Sequence, residues 1–352
     1  MEKSGIPEKY QKSVREEKQG KVIEVSYKVR NYINSSRSLV LKDQISALVP
    51  EREVVSGDPI IKKCNVYLPV GYDYSNPDIR YNVLYLLHGV GGDQYEWLSA
   101  NKSQEDGLII CNILDNLIEH GDIEPIIVVF PNGRSAHDFC DCSFDPDGTN
   151  ILGFYYFDYE LRYDLIPMIE ETFHTYADIR DKSSEGITYN RLHRAIAGLS
   201  MGGMQALNLI VGGHRCDSIK YTRRDSGFRN GLNWTSTTPG MLDLFAHVGA
   251  FSNAPTSSNG QILGNSIASS GYKIQTLYIN CGDEDAIAFE AGFTTSMKGL
   301  CRTADEQLVS FHQEIIPAGK HNFEVWNYGA LRFLLLCYGD ENDSKTVVGA
   351  QD

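Results

Sequence analysis

Positive charge is scarce in this 352-residue chain, with 32 Lys and Arg against 46 Asp and Glu and a formal net charge of -14. Such a field repels nucleic acid and anionic membrane surfaces, and no Lys/Arg run is long enough to form a polyanion-binding patch. Long apolar runs are missing too. The longest, such as Pro125–Phe130, fall far short of the ~20 residues a membrane-spanning helix needs. The first 20 residues are polar and charged throughout, without the apolar stretch of a secretory leader. The eight cysteines, Cys64, Cys111, Cys140, Cys142, Cys216, Cys281, Cys301 and Cys337, include no CxxC pair. They read as ordinary buried thiols rather than a disulfide framework, which places the chain in a reducing, cytoplasmic setting unless a leader has been removed. Internal repeats and low-complexity tracts are also absent.

What is present is a globular composition, 42% hydrophobic and 22% charged, able to bury a sizeable core. Residues 1–20 read as a mobile arm or leading helix, 21–340 as one domain, and 341–352 as a tail. Lys21–Arg30 alternates polar and apolar residues, the signature of a half-exposed edge strand. Residues 31–58 form a loop-rich insertion, and Ile61–Pro69 is the next strand. Continuous apolar strands then alternate with helical periodicity. The strands are Val83–Leu87, Ile126–Phe130, Ala195–Leu199, Phe245–Phe251, Thr276–Cys281 and Gln313–Pro317. Between and after them, helices are expected over Gly107–His120, Tyr159–Tyr176, Met201–Val211, Ala286–Arg302 and Trp326–Tyr338. This alternation predicts a doubly wound, mostly parallel α/β sheet with helices on both faces and its site at the carboxyl ends of the strands. Gly212–Gly240, rich in Gly, Arg, Asn and Thr, reads as an insertion over or beside that site.

Gly198-Leu199-Ser200-Met201-Gly202 fits G-x-S-x-G between an apolar strand and a helix. That context, more than the pattern, makes Ser200 a nucleophile: the turn exposes its hydroxyl and aims a helix N-terminus at the reacting carbonyl. A serine hydroxyl needs a base, because it is scarcely ionised at neutral pH. Of nine histidines, His321 alone follows a late strand in the right chain order. The acid that orients it belongs between the two, where Gly282-Asp283-Glu284-Asp285 ends a strand. Spacing favours no single carboxylate there, Asp285 and Asp283 both fitting. An oxyanion would be met by the Met201 amide and by a donor from His88-Gly89-Val90-Gly91-Gly92, either Val90 or Gly91. His88 reads as support for that loop. Cys140-x-Cys142 with Asp141, Asp145 and Asp147 has no metal-ligand spacing, so no metal is expected there. Phe154-Tyr155-Tyr156-Phe157 would supply either a wall for a sugar or aryl group or helix packing.

LYLLHGVGGDQYEW, IIVVFPNG, HRAIAGLSMGGMQALN, YINCGDEDA and PAGKHNFEVWNYGALRFLL together resemble the family-one carbohydrate esterases, especially feruloyl esterase domains of bacterial xylanases. The resemblance runs in order from about Ile61 to Leu336. It implies the α/β-hydrolase fold, no cofactor, and hydrolysis of feruloyl or acetyl esters on plant xylan. In the family's G-x-x-D pattern the last residue is the triad acid, which corresponds to Asp285. Its G-x-x-H-x-F-x-x-W pattern is met nearly residue for residue by Ala318–Trp326 and supports His321, with Trp326, Tyr155 and Tyr156 as candidate substrate contacts. Residues 1–60 and 212–240 lie outside the shared pattern. With no carbohydrate-binding module or export signal visible, the expected substrate is a soluble oligosaccharide or small aryl ester. Acetyl xylan esterases, acyltransferases like the mycolyl transferases, and siderophore esterases are the alternatives of the same fold. A catalytically dead binding module is the reading from another class, and the complete triad argues against it.

Overall fold

The computed structural model describes residues 5–35, 59–99, 109–145, 148–215 and 236–339. Residues 36–58 of the 31–58 insertion, most of the 212–240 stretch and the 341–352 tail therefore lie outside the described residues. Ten strands occur among the described ones: β1 (Lys21–Arg30), β2 (Pro59–Leu68), β3 (Asn82–Leu87), β4 (Ile126–Pro131), β5 (Arg194–Leu199), β6 (His214–Arg215), β7 (Ser236–Thr237), β8 (His247–Phe251), β9 (Thr276–Gly282) and β10 (Phe311–Ile316). Eight of them form one sheet in the order β1-β2-β4-β3-β5-β8-β9-β10. Strands β3, β4, β5, β8, β9 and β10 run parallel, while β2 is antiparallel to both β1 and β4. This is an α/β-hydrolase sheet.

Strand burial follows from composition. Apolar runs such as β4 (IIVVFP) and β9 (TLYINCG) are buried at every position, as strands covered on both faces must be. The pleat then divides them. Val83, Tyr85 and Leu87 join a core with Leu207, Leu209, Leu263 and Ile267, whereas Leu84 and Leu86 join one with Ile113, Leu117, Ala330 and Leu334. Helices Ile109–Glu119 and Phe323–Tyr338 thus cover one face, and Gly260–Ser269 covers the other. β1 lies at the sheet edge with alternating exposure, as its pattern predicts.

Several helices depart from expectation. The segment expected as Tyr159–Tyr176 is broken into Phe157–Glu160, a π turn over Leu161–Leu165, and Ile166–Thr172. It ends at Phe173 because Thr175 turns away to bridge Tyr81. The one expected over Ala286–Arg302 begins only at Phe289 as a π turn, is interrupted where Gly299 takes φ +87°, and resumes over Leu300–Ala304. Met201–Val211 is α-helical only to Gln205 and widens to a π-helix over Ala206–Gly212. Helices Ser184–Leu192 and Gly260–Ser269 were not foreseen; both begin at side-chain caps, Ser183 and Asn259. Residues 5–20 are neither free arm nor leading helix. They form two 3-10 turns docked on Ile109–Glu119, with Tyr10 buried and its hydroxyl donating to Asp122 at 2.7 Å. Nor are the cysteines uniformly buried, since Cys140 and Cys301 are exposed.

A buried ion pair ties the edge of the sheet to the loop after β4. Lys62 on β2 donates to Glu160 at 2.8 Å and to the carbonyls of Asn132 and Arg134 at 2.9 Å each. Glu160 also accepts from Tyr27 at 2.5 Å and Ser135 at 2.7 Å. Both charged side chains are essentially inaccessible. Removing one partner from such a pair leaves the other charge buried and uncompensated. Glu160→Gln is therefore expected to lower unfolding free energy by about 3–5 kcal/mol, read as a lower urea midpoint with an unchanged slope.

Candidate active site

The serine turn is built by close backbone approach. A Cβ on Gly198 would sit 2.5 Å from the backbone of Gly202, and one on Gly202 would sit 2.7 Å from the His88 carbonyl. Only glycine permits that packing of β5, the following helix and the loop after β3. Ser200 itself takes φ +51° and ψ -112°, a strained conformation for a side chain with a Cβ. The surroundings hold it there. Its N–H donates to the Phe251 carbonyl at 2.9 Å, while its carbonyl accepts from Met204 at 3.0 Å and Ala254 at 2.9 Å.

Three expected residues come together. Ser200 Oγ lies 3.1 Å from His321 Nε2, and His321 Nδ1 lies 2.8 Å from Asp285 Oδ2. Asp285 Oδ1 accepts the N–H groups of Ile287 at 3.0 Å and Ala288 at 2.9 Å. Burial alone would raise the Asp285 carboxyl, but hydrogen bonds from His321 and the Ala288 amide hold it below its ordinary range. It is thus a carboxylate fit to orient the imidazole. Asp283 makes no such contact; its N–H donates to the Ile316 carbonyl at 3.1 Å. The acid and histidine loops are stapled together by Glu284 N–H on the Gly319 carbonyl at 3.0 Å. There is no room for a Cβ on Gly282, which would lie 2.1 Å from that same carbonyl oxygen. Ala318 turns the chain into the histidine loop with φ +57°.

The loop after β3 abuts the serine, since a Cβ on Gly89 would lie 3.4 Å from that of Ser200. Its carbonyls are taken: Gly89 faces His88 Nδ1 at 2.7 Å, and Val90 and Gly92 accept from Arg134 at 2.5 and 2.7 Å. By contrast, the described residues supply no acceptor for the N–H groups of Val90, Gly91 or Met201. Burial, helped by nearby Arg134, pushes His88 down to about 3, so it is neutral. Its Nε2 accepts the Gly133 N–H at 2.8 Å, so Nδ1 carries the proton and donates to Gly89. Glu96 accepts the Gly89 N–H at 2.6 Å, and burial raises its carboxyl.

The expected substrate contacts sit differently. Tyr155 is wholly buried in a cluster with Ile151, Met201 and Met204, so its ring packs the core and presents no wall to a ligand. Tyr156 is nearly buried beneath Arg215, whose guanidinium lies 4.7 Å from the ring centroid. Trp326 meets His321 edge to face at 5.0 Å and braces the imidazole. Arg134 and Glu96 escaped sequence reading although both lie in or beside the motifs: Arg134 follows PNG directly, and Glu96 lies within HGVGGDQYEW. Cys142 lies 3.5 Å from the Gly92 carbonyl. No helix of the described residues is long and apolar enough to cross a membrane.

A family model described as "Putative esterase" matches residues 62–329. The chain is similar to the endo-1,4-beta-xylanase Y of Acetivibrio thermocellus, with 34% identity over 160 residues, 46% of this chain and 12% of that protein. Similarity to the endo-1,4-beta-xylanase/feruloyl esterase of Xylanibacter ruminicola is 38% over 147 residues, 41% of this chain and 17% of that protein. The chain therefore spans only a small part of either relative. Among solved structures, the ferulic acid esterase of Anaeromyces mucronatus in complex with ferulic acid aligns with TM-score 0.61 and 19% identity, covering 94% of this chain and 96% of that one. At that identity the likeness is one of fold.

Asp285 has a folded pKa below its unfolded value, so its contribution to stability is present above the unfolded pKa and lost as pH falls through the folded one. Asp285→Asn is expected to lower the melting temperature at pH 7. The gap from wild type should close in acid as pH drops below about 4, the unfolded carboxylate value; a gap independent of pH would contradict the assigned hydrogen bonds.

Proposed function

The chain belongs to the esterase family matched over residues 62–329, and from that premise we propose that it hydrolyses its ester through Ser200, His321 and Asp285. The observation that carries this reading is the unbroken hydrogen-bonded series from Ser200 Oγ through His321 to Asp285, at 3.1 and 2.8 Å. In this mechanism Ser200 Oγ attacks the ester carbonyl carbon while its proton passes to His321 Nε2. Asp285 keeps the Nδ1 proton in place and stabilises the imidazolium. The oxyanion is met by the Met201 N–H and by the Val90 N–H, with Gly91 as the alternative donor. Collapse expels the alcohol, which leaves with the proton from His321. Water, deprotonated by the same nitrogen, then attacks the acyl-serine and releases the acid.

For the substrate, we infer a hydroxycinnamoyl ester of a plant-cell-wall carbohydrate, with ferulate as the leading acyl group. Support comes from the xylanase/feruloyl esterase relative and the fold shared with a ferulic acid esterase. The acidic chain favours a neutral ester over an anionic one, given its net charge of -14.

Ferulate release from methyl ferulate, compared with acetate release from an acetylated xylo-oligosaccharide, tests both parts of the reading. Wild type is expected to release ferulate, and Ser200→Ala to lose at least about 10³-fold in kcat while keeping its melting temperature. Substantial turnover by Ser200→Ala would remove the serine mechanism. Acetate release alone would assign an acetyl esterase, and neither product would move the reading to acyl transfer, checked with an added alcohol acceptor.

A further inference from the structure

Arg134 is, with Arg194, the largest fully buried side chain among the described residues, and its guanidinium faces the loop beside Ser200. Its two terminal nitrogens donate to the carbonyls of Val90 at 2.5 Å and Gly92 at 2.7 Å. The guanidinium carbon lies 4.9 Å from the centroid of the Phe154 ring. No carboxylate of the described residues lies within ion-pair distance of it. The acidic groups that bear on it are the Cys142 thiol, Asp93, Glu96 and Asp141, and no carboxylate among them forms an ion pair with it. A buried cation is costly without compensation. Here the compensation consists of backbone carbonyls of a single short loop.

The planar peptide gives those contacts a direction. Carbonyl and N–H of one trans peptide point oppositely, so fixing the Val90 oxygen fixes the Gly91 N–H, and fixing the Gly92 oxygen fixes the Asp93 N–H. The peptide before Val90 is anchored separately, its Gly89 oxygen held by His88. Val90 therefore has both flanking peptide planes set, one by His88 and one by Arg134. Arg134 is itself tied down, because its own carbonyl accepts from Lys62 and its N–H donates to Asn132 Oδ1 at 3.1 Å.

We propose that Arg134 is a positioning residue for the oxyanion, setting the Gly91 N–H in the loop beside Ser200, while His88 sets that of Val90, and placing a positive charge without a carboxylate partner behind that loop. This rests on the serine reading given above. The role differs from ordinary loop support in one respect: a preorganised donor set favours the charge that develops in the transition state more than the neutral ester. Loss of Arg134 should therefore fall on kcat.

The test compares wild type, Arg134→Met, Arg134→Lys and Ser200→Ala on p-nitrophenyl acetate and methyl ferulate, with melting temperatures for each. Arg134→Met is expected to lose about 30- to 100-fold in kcat, somewhat below the loss for removing a direct oxyanion donor, with KM within about threefold. Arg134→Lys keeps the charge and one donor, so it should recover part of that loss at the same KM. A folded Arg134→Met with kcat within about threefold of wild type, or with its loss confined to KM, overturns the proposal. If Arg134→Met does not fold, Arg134→Lys decides: a kcat drop of at least about fivefold at unchanged KM supports the proposal, and wild-type kcat overturns it. Turnover by Ser200→Ala would instead remove the serine reading, whatever Arg134 does.

Discussion

The close approach of three backbones at Gly198, Gly202 and His88 is the constraint on which the site depends. It forces the chain through Ser200 at φ +51°, a conformation costing on the order of 1–3 kcal/mol that only an over-determined surrounding can hold. Here the surrounding is the sheet itself. Ser200 is bonded through its backbone to Phe251 and Ala254, the end of β8 and the loop beyond it. The strain is thus borne by the middle of the parallel sheet, where β5 is paired on both sides and every residue is buried.

From that point the remaining machinery arrives on strand ends. β9 delivers Asp285 and the loop after β10 delivers His321, and the two loops are bonded to each other before either meets the serine. The loop after β3 brings the amides proposed as oxyanion donors, and the loop after β4 brings Arg134 to hold that loop's carbonyls. Two buried basic residues, Lys62 and Arg134, therefore act on consecutive layers: one grips the 132–135 backbone, the other grips the 90–92 backbone. Neither has a surface to offer to solvent. Their cost is met by carbonyls and by one carboxylate, Glu160.

Much of this was legible in the amino-acid order. Continuous apolar runs marked the buried strands because both faces of a parallel sheet are covered, and the glycines around Ser200 marked a turn with no room for side chains. What escaped was set by contacts across the fold. Spacing alone leaves Asp285 and Asp283 equal, and only the G-x-x-D resemblance picks Asp285; in the fold the difference is a hydrogen bond to a histidine 36 residues away. Tyr155 and Tyr156 read equally well as wall or packing, and only burial settles that Tyr155 packs. Arg134 could not be found from periodicity, since a lone arginine after a strand is ordinarily solvated. Broken helices such as Leu161–Leu165 were missed for a similar reason: the π turn leaves apolar spacing nearly unchanged.

The short ribbon of β6 and β7 has a bearing on how this chain can vary. His214 pairs with Thr237 and Arg215 with Ser236, so both ends of the intervening stretch are clamped side by side. Arg215 anchors the ribbon to the body of the domain through the Tyr155 carbonyl and the Asp158 carboxylate. With its ends already joined, the stretch between can lengthen cheaply: doubling a loop costs only about 0.6 kcal/mol in closure entropy. The ribbon is in effect a clasp, one that sets the spacing of its two ends independently of the length of chain between them.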